Sequence, residues 1–249
     1  RERIRRGTGG NLKRLIIKSI LVFFLMFIYT FKTEKLVESK NSNIDEIKHQ
    51  LRYIYTITPS DYSNCNISYL TTHNFSVATP GYQSKCFYVD SEVDGGVTEK
   101  FRKGQKVNVF GLPYIFSPYN KNDIYGGITP STDDGILRTN TIAGNFFIDG
   151  QQQKTLINPI KIDKDIVTIQ EFDFKIRKFL MESKEIYLTK SPYIRGSLEI
   201  HSKNRKHEKI NLYDAKPNST RSDVFKKYKD NKTINMKDFS HFDIYLWTK

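Results

Sequence analysis

The chain is poor in cysteine, with only Cys65 and Cys86 among 249 residues. That pair alone does not make a metal site; a disulfide between them and two free thiols both stay open. An apolar stretch of the roughly 20 residues that a spanning helix needs is also missing, since the run Ile20–Phe31 has twelve. No internal repeat and no low-complexity segment is present, which excludes a repeat array or a solvated tail. Nor is there a dense basic stripe, although the net charge is +13. Residues 1–36 carry nine Lys or Arg against Glu2 and Glu34, leaving only +6 on everything that follows. The remainder is therefore ordinary for a basic soluble protein and gives no argument for tracking phosphates.

What is present begins with that basic segment, which leads directly into the apolar run. Twelve apolar residues fit the core of a secretory signal better than a membrane span, so export to the cell exterior is expected. The alternative is an uncleaved N-terminal anchor, because no A-x-A site follows; cleavage is placed after Ser39. Residues 1–11 read as an over-extended reading frame and stay outside the fold reading.

Beyond the leader, Ile44, Ile47, Leu51 and Ile54 mark one face of a helix over 43–55, with Asn43 and Glu46 as a capping box. From Ile57 to about Thr129 the pattern turns to short alternating runs: Cys65–Thr71, Phe87–Asp90, Lys106–Phe110 and Tyr114–Phe116. Their lengths and spacing predict a small barrel. The loop-like stretch Pro130–Thr141 separates it from a second part. There, Gly144–Ile148 and Gln151–Ile157 form a hairpin on Asp149-Gly150. A helix follows with Thr168 and Glu171 as its capping box and Phe172, Ile176, Phe179 and Leu180 as its core face. Asp173–Arg177 and Glu171–Lys175 are read as i,i+4 pairs on its wetter side. Strands Gly196–His201 and His207–Tyr213 and a last strand His241–Trp247 complete the order of a β-grasp domain. The fold class is thus α+β, with residues 1–39 as leader, 40–133 as N-terminal helix and barrel, and 134–249 as the β-grasp.

Side chains alternate along a strand, so Phe242, Ile244 and Leu246 face the core while His241 and Asp243 share the outer face, about 7 Å apart. His207 also points outward and becomes a third donor if its strand adjoins the last one; His201 competes for that place. Two imidazoles and one carboxylate suit zinc and leave one tetrahedral position open. Hydrolysis would require a general base beside the metal, and Glu208 projects to the opposite face. A partner's ligand, or no metal at all, are the other readings. Lys100, Arg102, Lys103 and Lys106 near aromatics would serve a nucleic-acid binder, but they read as a solvated loop, and no nucleic-acid partner is expected.

Two segments carry a resemblance. Tyr125–Thr129 (YGGIT) and Gln170–Tyr187 (QEFDFKIRKFLMESKEIY), with Asp173, Arg177, Leu180, Ile186 and Tyr187 at signature spacing, resemble the staphylococcal and streptococcal pyrogenic exotoxins, the bacterial superantigens. The stretches QQKTLINPIKIDK and KYKDNKTINMKDFSHFDIYLWTK are similar to the branch of streptococcal exotoxins C, G and J. The resemblance implies an N-terminal OB-fold barrel, a C-terminal β-grasp domain and no catalytic step. It further implies zinc at His207, His241 and Asp243, capturing a histidine of the MHC class II β chain, and demotes His201. His73 and Glu92 match a second, weaker metal or homodimer contact. Tyr53 and Arg221 match contacts to T-cell receptor Vβ in a cleft between the domains, while Gln83 and Asn218 depart from related contact residues. A superantigen-like protein of the same fold that binds another host immune ligand is the alternative reading.

Overall fold

The computed structural model describes residue 22 and residues 43–72, 74–78, 86–91, 100–116, 121–131, 140–204 and 207–248. Contacts gather the chain into two units, 1–45 and 46–249. Of the first, only the helical, exposed Val22 and the start of a helix at 43 are described. The expected leader and its cleavage point therefore lie outside the described residues.

Helix α1 covers 43–55, as the apolar spacing predicts. Leu51, Ile54 and Tyr55 are buried, and Lys48 donates to the Ser191 carbonyl at 2.8 Å. The next seven strands are β1 (Ser60–Leu70), β2 (Asn74–Ala78), β3 (Cys86–Asp90), β4 (Lys106–Gly111), β5 (Pro113–Phe116), β6 (Lys121–Tyr125) and β7 (Ile128–Pro130). They form one curled sheet in the order β5-β6-β3-β2-β1-β4-β7. Alternation along β1 and β4 sends Cys65, Ile67, Val107 and Val109 into its core beside Phe75, Val77 and Phe101. Cys65 is a free thiol whose pKa burial pushes up to about 11.

The second sheet is mixed, in the order β12-β11-β14-β8-β9. Its strands are β8 (Ala143–Ile148), β9 (Gln151–Ile157), β11 (Arg195–Ser202), β12 (His207–Asn211) and β14 (Phe239–Trp247). The hairpin β8–β9 turns on Asp149 and Gly150, both at positive φ, as a two-residue turn of matching twist requires. β14 runs parallel to β8 and antiparallel to β11. Helix α2 (Ile169–Ser183) packs across the sheet, with Phe172 against Phe239 and Phe242 at ring separations of 5.7 and 5.8 Å. A two-stranded ribbon of β10 (Ile166–Thr168) and β13 (Thr233–Asn235), the short helix α3 (Arg221–Phe225) and the 3-10 turn Lys226–Tyr228 that continues it are also among the described residues.

Two readings of α2 need correction. Thr168 accepts from Glu171 N, but the Glu171 carboxylate binds Lys164 and Lys175, at 3.0 and 2.7 Å, as a buried ion pair. Asp173 and Arg177 are likewise buried, with 0% exposure each, and are not on the wet side. Arg177 donates to Asp173 at 2.7 Å, to Tyr187 Oη, and to the carbonyls of Asn211 and Leu212, with its guanidinium 4.4 Å from the Tyr55 ring centre. The carbonyls at the end of β12 thus accept from a buried cation, and its countercharge is buried with it.

The YGGIT segment joins the two parts. Gln170 donates to the Tyr125 carbonyl at 2.9 Å, and Asn231 both accepts from Ile128 N and donates to Ile128 O. Gly127, at φ +80, lies where an added Cβ would meet the Phe110 carbonyl oxygen at 2.3 Å, so this joint requires glycine.

Candidate metal centre and adjoining cleft

The outer face of the second sheet, opposite α2, carries an ordered grid of polar side chains. Strand pairing sets His207 opposite His201 and His201 opposite His241, so three imidazoles form one row across β12, β11 and β14. The next row is Lys209, Glu199, Asp243 and Asn145. The His201 ring lies 4.4 Å from that of His241, nearly parallel to it, and 4.8 Å from that of His207.

Asp243 anchors the grid. It is only 8% exposed, and its Oδ1 accepts from Asn145 at 2.9 Å, which fixes the carboxylate toward the histidines. His241 Nε2 lies 3.9 Å from Oδ1 and His201 Nε2 lies 3.2 Å from Oδ2. Ser240 Oγ sits 3.0 Å from His241 Nδ1; with Nδ1–H as donor, the Nε2 lone pair is left for a ligand. At the other end Glu199 is held by Lys209 at 2.7 Å, with its second oxygen 3.7 Å from His207 Nε2.

Two donor sets result, each with ligand atoms within 4.8 Å of one another: His201, His241 and Asp243, and Glu199, His201 and His207. His201 Nε2 is buried and has no hydrogen-bond partner despite the nearby carboxylate. An orphaned imidazole nitrogen beside a fixed carboxylate is an unmade bond, and a borderline Lewis acid such as zinc fits this nitrogen and oxygen set. Strand parity correctly turned His207, His241 and Asp243 outward. The condition that β12 adjoin β14 is not met, because β11 intervenes and brings His201 to the middle. Glu199 escaped the sequence reading, although Glu199-x-His201 on β11 mirrors His241-x-Asp243 on β14.

A second feature lies where α1 meets α3. Tyr53 is 58% exposed, and the Arg221 guanidinium lies 4.9 Å from its ring centre. The Thr220–Asp223 capping box fixes Arg221 at the start of α3. Gln50, Tyr114, Ile115 and Ser222 help line the open cleft, of about 480 Å³. The structure thus brings Tyr53 and Arg221 into one surface. His73 and Glu92 lie outside the described residues.

Comparison with known proteins agrees with this architecture. Residues 50–130 match the staphylococcal/streptococcal toxin OB-fold domain and residues 142–246 match the staphylococcal/streptococcal toxin β-grasp domain. The chain belongs to the staphylococcal/streptococcal toxin family, a superantigen exotoxin family. Within it, exotoxin type G of Streptococcus pyogenes serotype M1 is 43% identical over 210 residues, spanning 84% of this chain and 89% of that protein. The crystal structure of streptococcal pyrogenic exotoxin J is 60% identical, with a TM-score of 0.79 over 84% of this chain and 98% of that one. These two place the chain in the C, G and J branch. The zinc-bound superantigen SPE-H of Streptococcus pyogenes shares the fold, with a TM-score of 0.69 at 23% identity over 81% of this chain and 98% of that one.

Proposed function

We propose that the chain is a secreted superantigen that crosslinks MHC class II on one cell to T-cell receptor Vβ on another, and thereby activates T cells polyclonally. Zinc is its cofactor, with His241 and Asp243 as donors, His207 as the third that the family resemblance implies although it gathers here with Glu199 and His201, and the β chain of class II as the partner that adds one more. The observation that carries this reading is the buried, pre-oriented Asp243 beside His241 on an otherwise solvent-facing sheet. A zinc ion held there supplies a Lewis acid that takes a further nitrogen donor. The chain's own part is to orient that carboxylate through Asn145 and to present the imidazoles outward. Surface plasmon resonance on immobilised class II, with and without EDTA, tests it. Binding should vanish on chelation and return with added zinc; binding indifferent to EDTA overturns the zinc reading.

The cleft beside α1 serves the T-cell receptor in this proposal. An exposed tyrosine under a fixed guanidinium is a pre-organised aromatic and cationic anchor of the kind that dominates interfaces. Tyr53→Ala should weaken receptor binding roughly 30-fold, matching a hot-spot loss of about 2 kcal/mol, and leave class II binding unchanged. A receptor affinity within about two-fold of the parent would remove Tyr53 from the interface. T-cell proliferation with Vβ skewing supports this reading, and its absence would favour a superantigen-like protein that binds another host ligand without stimulating T cells.

A further inference from the structure

We propose that the turn entering β4 is a docking site for a linear sulfated polysaccharide, held by Lys100, Arg102, Lys103 and Lys106. This goes beyond the receptor reading and does not depend on the metal face.

Residues 100–106 (KFRKGQK) carry four cations and no carboxylate. The strands around them add no charge of either sign: residues 62–70 of β1, 74–78 of β2 and 107–111 of β4 contain no Asp, Glu, Lys or Arg. All four cations are exposed, and among the described residues neither Arg102 nor Lys103 has an ion pair. Spacing alone reads this segment as a solvated loop, but the structure clamps it. Phe101 is buried against Phe75, at a ring separation of 5.5 Å. Gln105 N donates to Arg102 O at 3.0 Å and Gly104 sits at φ +81, a turn of the kind that favours glycine in third place. The turn is tied to β1 by Gly104 N donating to Ile67 O at 2.8 Å and by Ile67 N donating to Gln105 O at 3.1 Å. Arg102 and Lys103 thus leave a fixed backbone next to each other, and Lys106 begins β4 opposite Asn66. Holding like charges together costs repulsion, which a polyanion removes.

Three features choose the occupant. The N–H groups of Arg102, Gly104 and Gln105 are all taken, the first by Gln105 Oε1 at 3.0 Å, so these leave no backbone nest for a single compact anion. Phe101, the ring between the cations, is buried and offers no face for a base to stack on. The β1 side chains alongside, Asn64, Asn66 and Ser68, are exposed, polar and uncharged, which suits sugar hydroxyls and not an acyl surface. Guanidinium and ammonium groups meet sulfate as they meet phosphate, through charge-assisted hydrogen bonds.

Surface plasmon resonance of the full chain over immobilised heparin, across a salt series, tests this. The parent should bind, with affinity falling roughly 10- to 100-fold between about 50 and 200 mM salt. Arg102→Gln with Lys103→Gln should weaken binding about 10-fold or more at the lower salt and flatten the logarithmic salt slope by about 2, one for each cation removed. The turn survives this change, because the Gln105 side chain bonds the backbone of residue 102 and not its guanidinium. Lys178→Gln with Lys190→Gln removes the same charge from exposed positions elsewhere and should leave the affinity unchanged. An equal loss in both pairs would mean attraction by net charge alone and overturns the site, as does an affinity that neither pair changes. So does a parent that binds desulfated heparin as tightly, or one that binds phosphatidylserine vesicles or a single-stranded oligonucleotide more tightly than heparin at the same salt. A parent that does not bind heparin at about 50 mM salt also overturns it, with the zinc and receptor readings untouched.

Discussion

Replacing Arg177 with methionine should destabilise the protein by roughly 3–5 kcal/mol, the cost of breaking a buried ion pair from one side. The substitution keeps much of the volume but removes the cation that meets Asp173, Tyr187 and the carbonyls of Asn211 and Leu212. Lys227 and the Tyr228 hydroxyl still face the Asp173 carboxylate, at 3.2 and 2.5 Å, and set the lower end of the range. Removing both charges, as Asp173→Leu with Arg177→Met, should cost less than the single change, because no charge is left buried alone. Urea unfolding measures both, and a single-variant loss under about 1 kcal/mol would mean that the network is already satisfied without the arginine. Acid provides a companion reading. Burial raises the pKa of Asp173, but Arg177 and Lys227 outweigh it and hold the group below the usual carboxylate value. Its contribution is therefore complete above that usual value and is lost as pH falls through the lowered one. In Arg177→Met the acid transition should move to higher pH.

The second large effect belongs to the metal face. His241→Ala combined with Asp243→Ala should lower zinc affinity by roughly 100-fold or more, since even supporting residues around a metal are worth 10- to 100-fold. Class II binding should fall with it. The fold should survive, because His241 is well exposed and the main loss inside is the Asn145 hydrogen bond to Asp243, worth about 1 kcal/mol. Zinc calorimetry and surface plasmon resonance on the same preparation separate the outcomes. Lost zinc binding with intact class II binding would show that docking does not pass through the metal.

Much of the fold was legible because it is written in local periods. The apolar face of α1, the Asp149-Gly150 hairpin, α2 and the outward parity of β14 all follow from spacing alone. The three-residue strands β10 and β13 are too short to show any period. Asp173 and Arg177 have the spacing of a surface pair, and what buries them is distant: carbonyls at 211 and 212 that need donors. The same limit shaped the site. Parity tells which face His207 and His241 share, but it says nothing of what stands between their strands. That order is set by β14 docking between β8 and β11, and it turned His201 from a competitor into the centre of the row.

The placement of β14 also governs when the site can exist. Asn145 and Asp243, hydrogen-bonded across parallel neighbours, are 98 residues apart in the chain. Until β14 has inserted, β8 and β11 have no common neighbour, and the donors of the grid are scattered along an unfinished sheet. Such distant parallel pairing is slow to form. A partly unfolded chain therefore offers a metal only separate weak ligands, so any metal held at this face would report that the domain has closed.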